Sequence, residues 1–353
     1  MPITDILQDA ELFLGSTDPN SQTTAQRTLN ATGNLLTYPQ PTTTHQLVCI
    51  DGAVASHQTD ALVWIAAAAA TSAEHQAITD AAVTPVGPSA ERLRGAVMAL
   101  TEMKMAVEAS RSHEHVWMDG GLVTPLISVA TALTDTNEAA STSLVKTLNR
   151  SNAHHIIANY VDLAIQGRLK ALPKQDTARA FVQHWATSPN VTPELHDWFL
   201  SRSDRSCVSL LLDRGQRTPT RIAVEALKVE IKKLSAMSIP AQKWINVLNQ
   251  HYSRWREEVS AHIAYVMPRN GIGRAIKIEL TCTNPHNAEN DMDVAASIID
   301  SHIVGPHIIE PLPQHLVDLT AKKAVSSAII DLMSAVDMKF STTHPEAANQ
   351  YRS

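Results

Sequence analysis

Leu47-Val48-Cys49-Ile50-Asp51-Gly52 and His115-Val116-Trp117-Met118-Asp119-Gly120 are the two stretches on which the fold turns. Each is a short apolar run that meets a carboxylate and then a glycine, the pattern of a buried strand stopping at a turn. An ionised group at the edge of a buried strand is unfavourable unless a cation or hydrogen-bond donors meet it. Two of them, separated by a long helical pattern, predict that both strands bring an Asp to one edge of one sheet. A divalent cation would then neutralise the pair. Taken singly, each Asp-Gly is equally a turn signal, since both residues favour turns. It is the pairing that favours metal ligation.

The 353-residue chain is long enough for one large domain or two ordinary ones, and 44% of it is hydrophobic. Aromatics make up only 4%, so Ala, Val, Leu and Ile must build the core. A net charge of −6 argues against a surface that is basic all over, yet allows a local basic groove. Cys49, Cys207 and Cys282 are far apart and lie beside apolar residues. They read as buried thiols of a reducing compartment rather than a disulfide or zinc framework. The N-terminus lacks a basic region followed by an apolar one, and Ala61–Ala70 is too short to span a bilayer. The expectation is a soluble, cytoplasmic protein with no membrane partner.

Residues 1–38 read as a polar helical segment, set off by Pro39–Thr43. Strands are expected at Leu47–Asp51, Ala61–Ala70, Ala81–Val86, His115–Asp119 and Ser143–Leu148. A helix capped by Ser89 runs to about Ser110, with Leu93, Val97, Leu100, Met103 and Val107 along one face. A helical insertion covers about 151–256. Strands return at Ala261–Met267 and Arg274–Cys282 across a Gly-rich hairpin turn, Pro268–Gly273. A final helix covers about Pro313–Met338, and 341–353 reads as a flexible tail. Residues 45–340 then form one nuclease-like domain.

This order of elements resembles the ribonuclease H-like arrangement: an α/β fold whose mixed sheet is flanked by helices, here with a long helical insertion. That fold places acids on strand one, the first helix, strand four and often the last helix. Two Mg²⁺ or Mn²⁺ ions held by such carboxylates activate water and stabilise the leaving oxygen of a phosphodiester. The chain further resembles the NurA nuclease family over about residues 45–330. The resemblance is carried in order by Ile50-Asp51-Gly52, Met118-Asp119-Gly120-Gly121-Leu122, Leu144-Val145-Lys146-Thr147 and Leu212-Asp213-Arg214-Gly215-Gln216-Arg217-Thr218. It continues through Ile263-Ala264-Tyr265-Val266, Ile276-Lys277-Ile278-Glu279-Leu280, and then Gly305, Pro311, Pro313 and Ala324-Val325. Two departures stand out. Gly121 replaces a serine of the family pattern, and Ala321 falls where the family has a histidine, leaving His315 or Asp318 nearby as substitutes.

By that resemblance, Asp51, Glu102, Asp119 and Asp318 are the expected metal ligands, for Mn²⁺ or Mg²⁺. Glu108 competes with Glu102 for the helical position, and Glu91 more distantly; an ordinary solvated charge is the plain alternative for each. Lys146 would steady the scissile phosphate as a point charge, unless it merely guards an edge strand. Arg254, Arg269 and Arg274, together with Arg256, would line a groove for the DNA backbone or form a solvated rim. The resemblance implies a metal-dependent nuclease that trims DNA ends as a homodimer beside a HerA-type hexameric ATPase. A nuclease-like interaction subunit that has lost its last ligand is the competing expectation. A sugar-kinase-like phosphotransferase ranks below both. Gly271-x-Gly273 has no strand-to-helix context for a phosphate cradle, and only 12 glycines are spread along the chain.

Overall fold

The computed structural model describes residues 19–41, 46–74, 76–135, 137–174, 178–223, 238–271, 274–305 and 310–343. Its centre is a three-stranded antiparallel meander followed by two strands parallel to its first. The meander is β2 (Cys49–Gln58), β3 (Leu62–Thr71) and β4 (Ala77–Pro85). Helix α2 (Ser89–Ala109) then leads to β5 (Val116–Met118), which pairs in parallel with β2. Three helices follow: α3 (Thr124–Leu133), α4 (Glu138–Arg150) and α5 (Ala153–Ile165). They lead to β6 (Leu169–Ala171), parallel to β5. The order β6-β5-β2-β3-β4 makes the mixed sheet flanked by helices that the sequence led us to expect.

The sheet continues beyond β6 through β10 (Ile276–Cys282) and β9 (Ser260–Val266), a hairpin at the expected place. Short strands β1 (Leu36–Thr37), β7 (Gln216–Arg217) and β8 (Arg221–Ile222) complete that side. Helices α1 (Pro19–Ala31), α6 (Ala180–Ala186), α7 (Pro193–Leu200) and α8 (Asp204–Leu211) gather there. Ala25 and Leu29 of α1 pack in one core with Phe181, Trp185, Phe199 and Tyr265.

Both faces of the central sheet are covered. On one lie α2 to α5 with α9 (Ile239–Glu258), around Ile50, Met118 and Leu100. On the other lie α10 (Ala288–Ser301) and α11 (Leu312–Thr343), against Cys49, Trp117 and Leu280. The alanine run of β3 has a physical reason here. Ala67 and Ala69 face the α2 side while Ala66 and Ala68 meet Val325 of α11. Successive strand residues point to opposite faces, and small side chains let a helix approach each of them.

Four sequence expectations are corrected. Ser143–Leu148 is not a strand but part of α4, started by Asn137, whose side chain accepts the Ala140 N–H. Leu144, Val145 and Leu148 satisfy a helix face as well as a short strand, and the cap decides between them. The true fifth strand of the core, β6, lies inside the stretch expected to be a mostly helical insertion. Ser89 does not cap α2; its hydroxyl donates to Asp135 at 2.8 Å. Finally, β2 does not stop at Asp51-Gly52 but runs on to Gln58. The N-terminal residues 1–18, the tail from 344, part of the Pro39–Thr43 linker and part of the Pro268–Gly273 turn lie outside the described residues. No helix among the described residues is long and apolar enough to cross a membrane.

Candidate metal centre

Asp51 gains its edge position from its neighbour rather than from its own strand. β5 ends opposite Ile50, where the Asp119 N–H donates to the Ile50 carbonyl at 2.8 Å. From there β2 continues alone on that side, and Asp51 is the first residue past the end of β5. At Asp119-Gly120 the chain does turn. Gly120 has φ of +136°, a conformation open to glycine and strained for a residue with a Cβ. One Asp-Gly is therefore a turn and the other is the middle of a strand, yet both aspartates reach the same place, sharing a side-chain hydrogen bond.

The third carboxylate comes from α2. Ile50 packs on the α2 face, so by alternation Gly52 points the same way, and Glu102 fills the space a side chain would occupy there. A Cβ on residue 52 would lie 2.4 Å from Glu102 Oε1. Glycine at 52 is thus a packing requirement of the glutamate, not a turn signal. Glu102 is buried, whereas Glu108 is exposed and Glu91 pairs with Arg94 at the surface.

These acids make a charge problem. Burial, then the charge of Asp119, push the Asp51 carboxyl up to about 9. Burial and Asp119 likewise push Glu102 up to about 8. Both prefer to hold a proton at neutral pH. Such groups ionise together only when positive charge arrives.

Part of that charge is already present. Lys174, three residues past β6, places Nζ 2.6 Å from Asp119 Oδ2 and 3.1 Å from Glu310 Oε2. Partial burial lowers the affinity of Lys174 for its proton, but the contacts with Asp119 and Glu310 outweigh it and hold the ammonium charged. Gln314, buried on the first turn of α11, donates to Asp119 Oδ1 at 2.8 Å and to the Leu172 carbonyl at 3.2 Å. Glu310 also faces His315 Nδ1 at 3.3 Å. Next to this group, Glu279 of β10 accepts the Leu122 N–H at 3.0 Å and pairs with Lys277 at 3.0 Å, fixing the loop after Asp119.

The expected site residues divide accordingly. Asp51, Glu102 and Asp119 come together. Lys146 does not join them: it is exposed on α4, because the run that carries it is a helix, and Lys174 is the cation beside Asp119. Asp318 pairs with Lys322 at 2.8 Å one turn beyond Gln314, which is the α11 residue that reaches Asp119. Ala321, at the expected histidine, is buried in the core under α11. Arg254 is held by Asp162 and Glu258, and Arg269 by Asp300 while it stacks on Tyr38. Arg256 pairs with Glu257. Arg274 stays exposed, with one hydrogen bond to the Lys174 carbonyl at 3.5 Å. Sequence reasoning missed Lys174, Glu310 and Gln314. The readable signal for Lys174 was Leu169-Lys170-Ala171-Leu172-Pro173, a short run closed by proline and preceded by Gly167.

The donor set is all oxygen, which suits a hard cation, and two of the three acids are destabilised as anions without one. Gly52 leaves room for the third. Among the described residues, no three His, Cys, Asp or Glu side chains already stand at distances that would enclose an ion. Lys174 instead bridges Asp119 Oδ2 and Glu310.

No family model matches the sequence, and no curated protein does. Solved structures do. The NurA nuclease from Sulfolobus solfataricus is 11% identical, with a TM-score of 0.50 over 96% of this chain and 95% of that one. A second NurA structure is 13% identical, with a TM-score of 0.49 over 94% of this chain and 96% of that one. NurA with manganese is 12% identical, with a TM-score of 0.48 over 94% of this chain and 97% of that one. At 11% identity and a TM-score of 0.50 the likeness to the Sulfolobus solfataricus structure is one of fold, over nearly the whole of both chains: this chain has the NurA nuclease fold.

Proposed function

We propose that this chain, built on the NurA fold, is a metal-dependent deoxyribonuclease that trims DNA ends by phosphodiester hydrolysis. The observation that carries the proposal is the meeting of Asp51, Glu102 and Asp119 at one sheet edge, from two strands and a helix, where burial and mutual charge raise two of them above the usual carboxylate range. These three would hold Mn²⁺ or Mg²⁺. Such ions supply a nucleophilic hydroxide and stabilise the leaving oxygen. Gln314 keeps Asp119 oriented through its amide. Once freed from Asp119, the Lys174 ammonium can neutralise a non-bridging oxygen of the scissile phosphate, with Glu310 limiting how far it swings. Of the arginines expected to meet DNA, Arg274 is the one that stays exposed beside this centre, hydrogen-bonded to the Lys174 carbonyl. Water adds to phosphorus, one P–O ester bond breaks, and a phosphate and a hydroxyl end result.

By the same resemblance the chain works as a homodimer beside a HerA-type hexameric ATPase. A net charge of −6 fits that arrangement, since a ring translocase delivers DNA without long-range attraction from the nuclease. The test is degradation of linear DNA by the purified chain in Mn²⁺, Mg²⁺ and EDTA, with and without the ATPase, beside Asp51→Asn and Asp119→Asn. Chelator-sensitive cleavage lost in both variants is expected. Cleavage that survives EDTA or Asp51→Asn would remove the mechanism.

One observation favours a second reading, an interaction subunit without catalysis. Lys174 and Gln314 together occupy both oxygens of Asp119. Titration calorimetry with Mn²⁺ separates the two, because a subunit whose lysine permanently replaces the metal gives no binding heat up to millimolar Mn²⁺.

A further inference from the structure

A cavity of about 290 Å³ opens beside the three carboxylates, between the end of β6, the start of β10 and the head of α11. Lys174, Gln314 and Glu310, which line it, also belong to the group around Asp119, and Pro173, Arg205 and Arg274 line it too. Arg205 is buried and donates to the Pro173 and Lys174 carbonyls, which fixes the backbone that carries Lys174. Arg274 differs from the other arginines expected to meet DNA. Its guanidinium is exposed, and its one hydrogen bond goes to a neutral carbonyl. Among the described residues no carboxylate pairs with Arg274, which lines a cavity adjoining the metal centre.

We propose that this cavity receives the terminal phosphate of the strand being degraded, with Arg274 as its counter-charge. The inference rests on the nuclease reading and gives it a substrate end. A terminal phosphomonoester carries about −1.5 to −2 charge at pH 7, more than the single charge of a backbone diester. It also offers three oxygens to a guanidinium, which binds them in a planar fork. The Lys174 carbonyl touched by Arg274 and the Lys174 ammonium on Asp119 belong to one residue. The two phosphate positions are therefore a lysine side chain apart, on the order of one nucleotide. The cavity has room for a phosphate and its sugar. A phosphate seated there would present the next linkage to the metal centre, as release of single nucleotides from an end requires.

The experiment compares oligonucleotides carrying phosphate or hydroxyl at the 5′ end, and separately at the 3′ end, each labelled at the opposite end. Cleavage by the full chain in Mn²⁺ is read at subsaturating DNA. Binding of the same oligonucleotides is read in EDTA by fluorescence anisotropy, so that a failure of catalysis does not hide the answer. A five- to tenfold preference for phosphate at one of the two ends is expected in both readouts. Arg274→Ala should bring that ratio near one, and Arg274→Lys should restore part of it. Equal binding of phosphate and hydroxyl ends by the unaltered chain would overturn the inference. So would an Arg274→Ala variant that weakens all substrates alike, which marks an ordinary backbone contact. If cleavage is metal-dependent but indifferent to end chemistry, the nuclease reading stands and this inference falls. If end-selective binding appears without any cleavage, the reverse holds.

Discussion

Gly52→Ala isolates the geometry of the candidate centre without altering a single charge. The added Cβ would lie 2.4 Å from Glu102 Oε1, 2.7 Å from its Cγ and 2.8 Å from its Cδ, where ordinary contact begins at 3.4 Å. The carboxylate must therefore retreat by about 1 Å. Because Cγ clashes too, turning the terminal carboxylate does not suffice, and a buried helical side chain has few other rotamers. Gly52 is not among the residues of positive φ, so alanine suits the backbone there and stabilises it by about 0.4–1 kcal/mol through the unfolded chain. Overpacking opposes this by about 1–3 kcal/mol. Only a small fall in melting temperature is expected, while a misplacement of about 1 Å at a catalytic group lowers cleavage on the order of 100-fold. The assay is Mn²⁺-dependent degradation of a labelled duplex, with circular dichroism melting as the control for folding. Gly52→Ala combined with Glu102→Asp, which shortens the ligand, should recover part of the activity. Cleavage within threefold of the unaltered chain, at unchanged Mn²⁺ affinity, would show that Glu102 is not a ligand held by the glycine.

The raised carboxyls of Asp51 and Glu102 make the metal-free fold prefer acid. Their folded values, about 9 and about 8, lie above the unfolded ones of 3.8 and 4.5, so the stability they contribute is complete below about pH 4 and is lost as pH rises through 8 to 9. Melting in EDTA should fall between pH 6 and pH 8.5, by at most about 1.4 kcal/mol per pH unit for each group. Asp51→Asn should flatten the slope, and Mn²⁺ should reverse it by displacing protons; a flat profile in EDTA would contradict the assignment. Lys174→Met should lower cleavage about 10²- to 10³-fold, as loss of a preorganised cation does. Lys146→Ala, on the exposed face of α4, should change melting by less than about 0.5 kcal/mol and leave cleavage alone; equal effects of the two lysines would refute their placement. Arg217 is buried and pairs with Glu289 and Asp293 at 2.6 Å each, tying β7 to α10. Arg217→Ala should destabilise by about 3 kcal/mol, and a loss below 1 kcal/mol in chemical denaturation would show the pairs to be solvent-screened.

The strand pattern around Asp51 and Asp119, the face of α2 that carries Glu102, and the β9–β10 hairpin follow from local rules. Apolar period, turn residues and helix spacing act over a few positions, so the sequence exposes them. Over a run as short as Ser143–Leu148, period 3.6 and period 2 coincide, so its apolar pattern fits a strand as well as the helix α4 that the structure shows. The true fifth strand is three residues long and buried between two neighbours, too short to show a period of its own.

The sequence by itself singled out Asp51 and Asp119, because a charge inside a short apolar run leaves a visible mark, while on the helix it left Glu102, Glu108 and Glu91 open. It did not determine what meets them. Lys174 and Gln314 lie 55 and 195 residues from Asp119 and reach it only because β6 lies parallel beside β5 and α11 folds back over the sheet. Ion pairs and hydrogen bonds between distant segments depend on tertiary placement to within an ångström, and no local pattern encodes that. The role of Gly52 shows both halves. Its presence was legible, but only the packing of α2 on β2 turns it from a turn residue into the space for a glutamate.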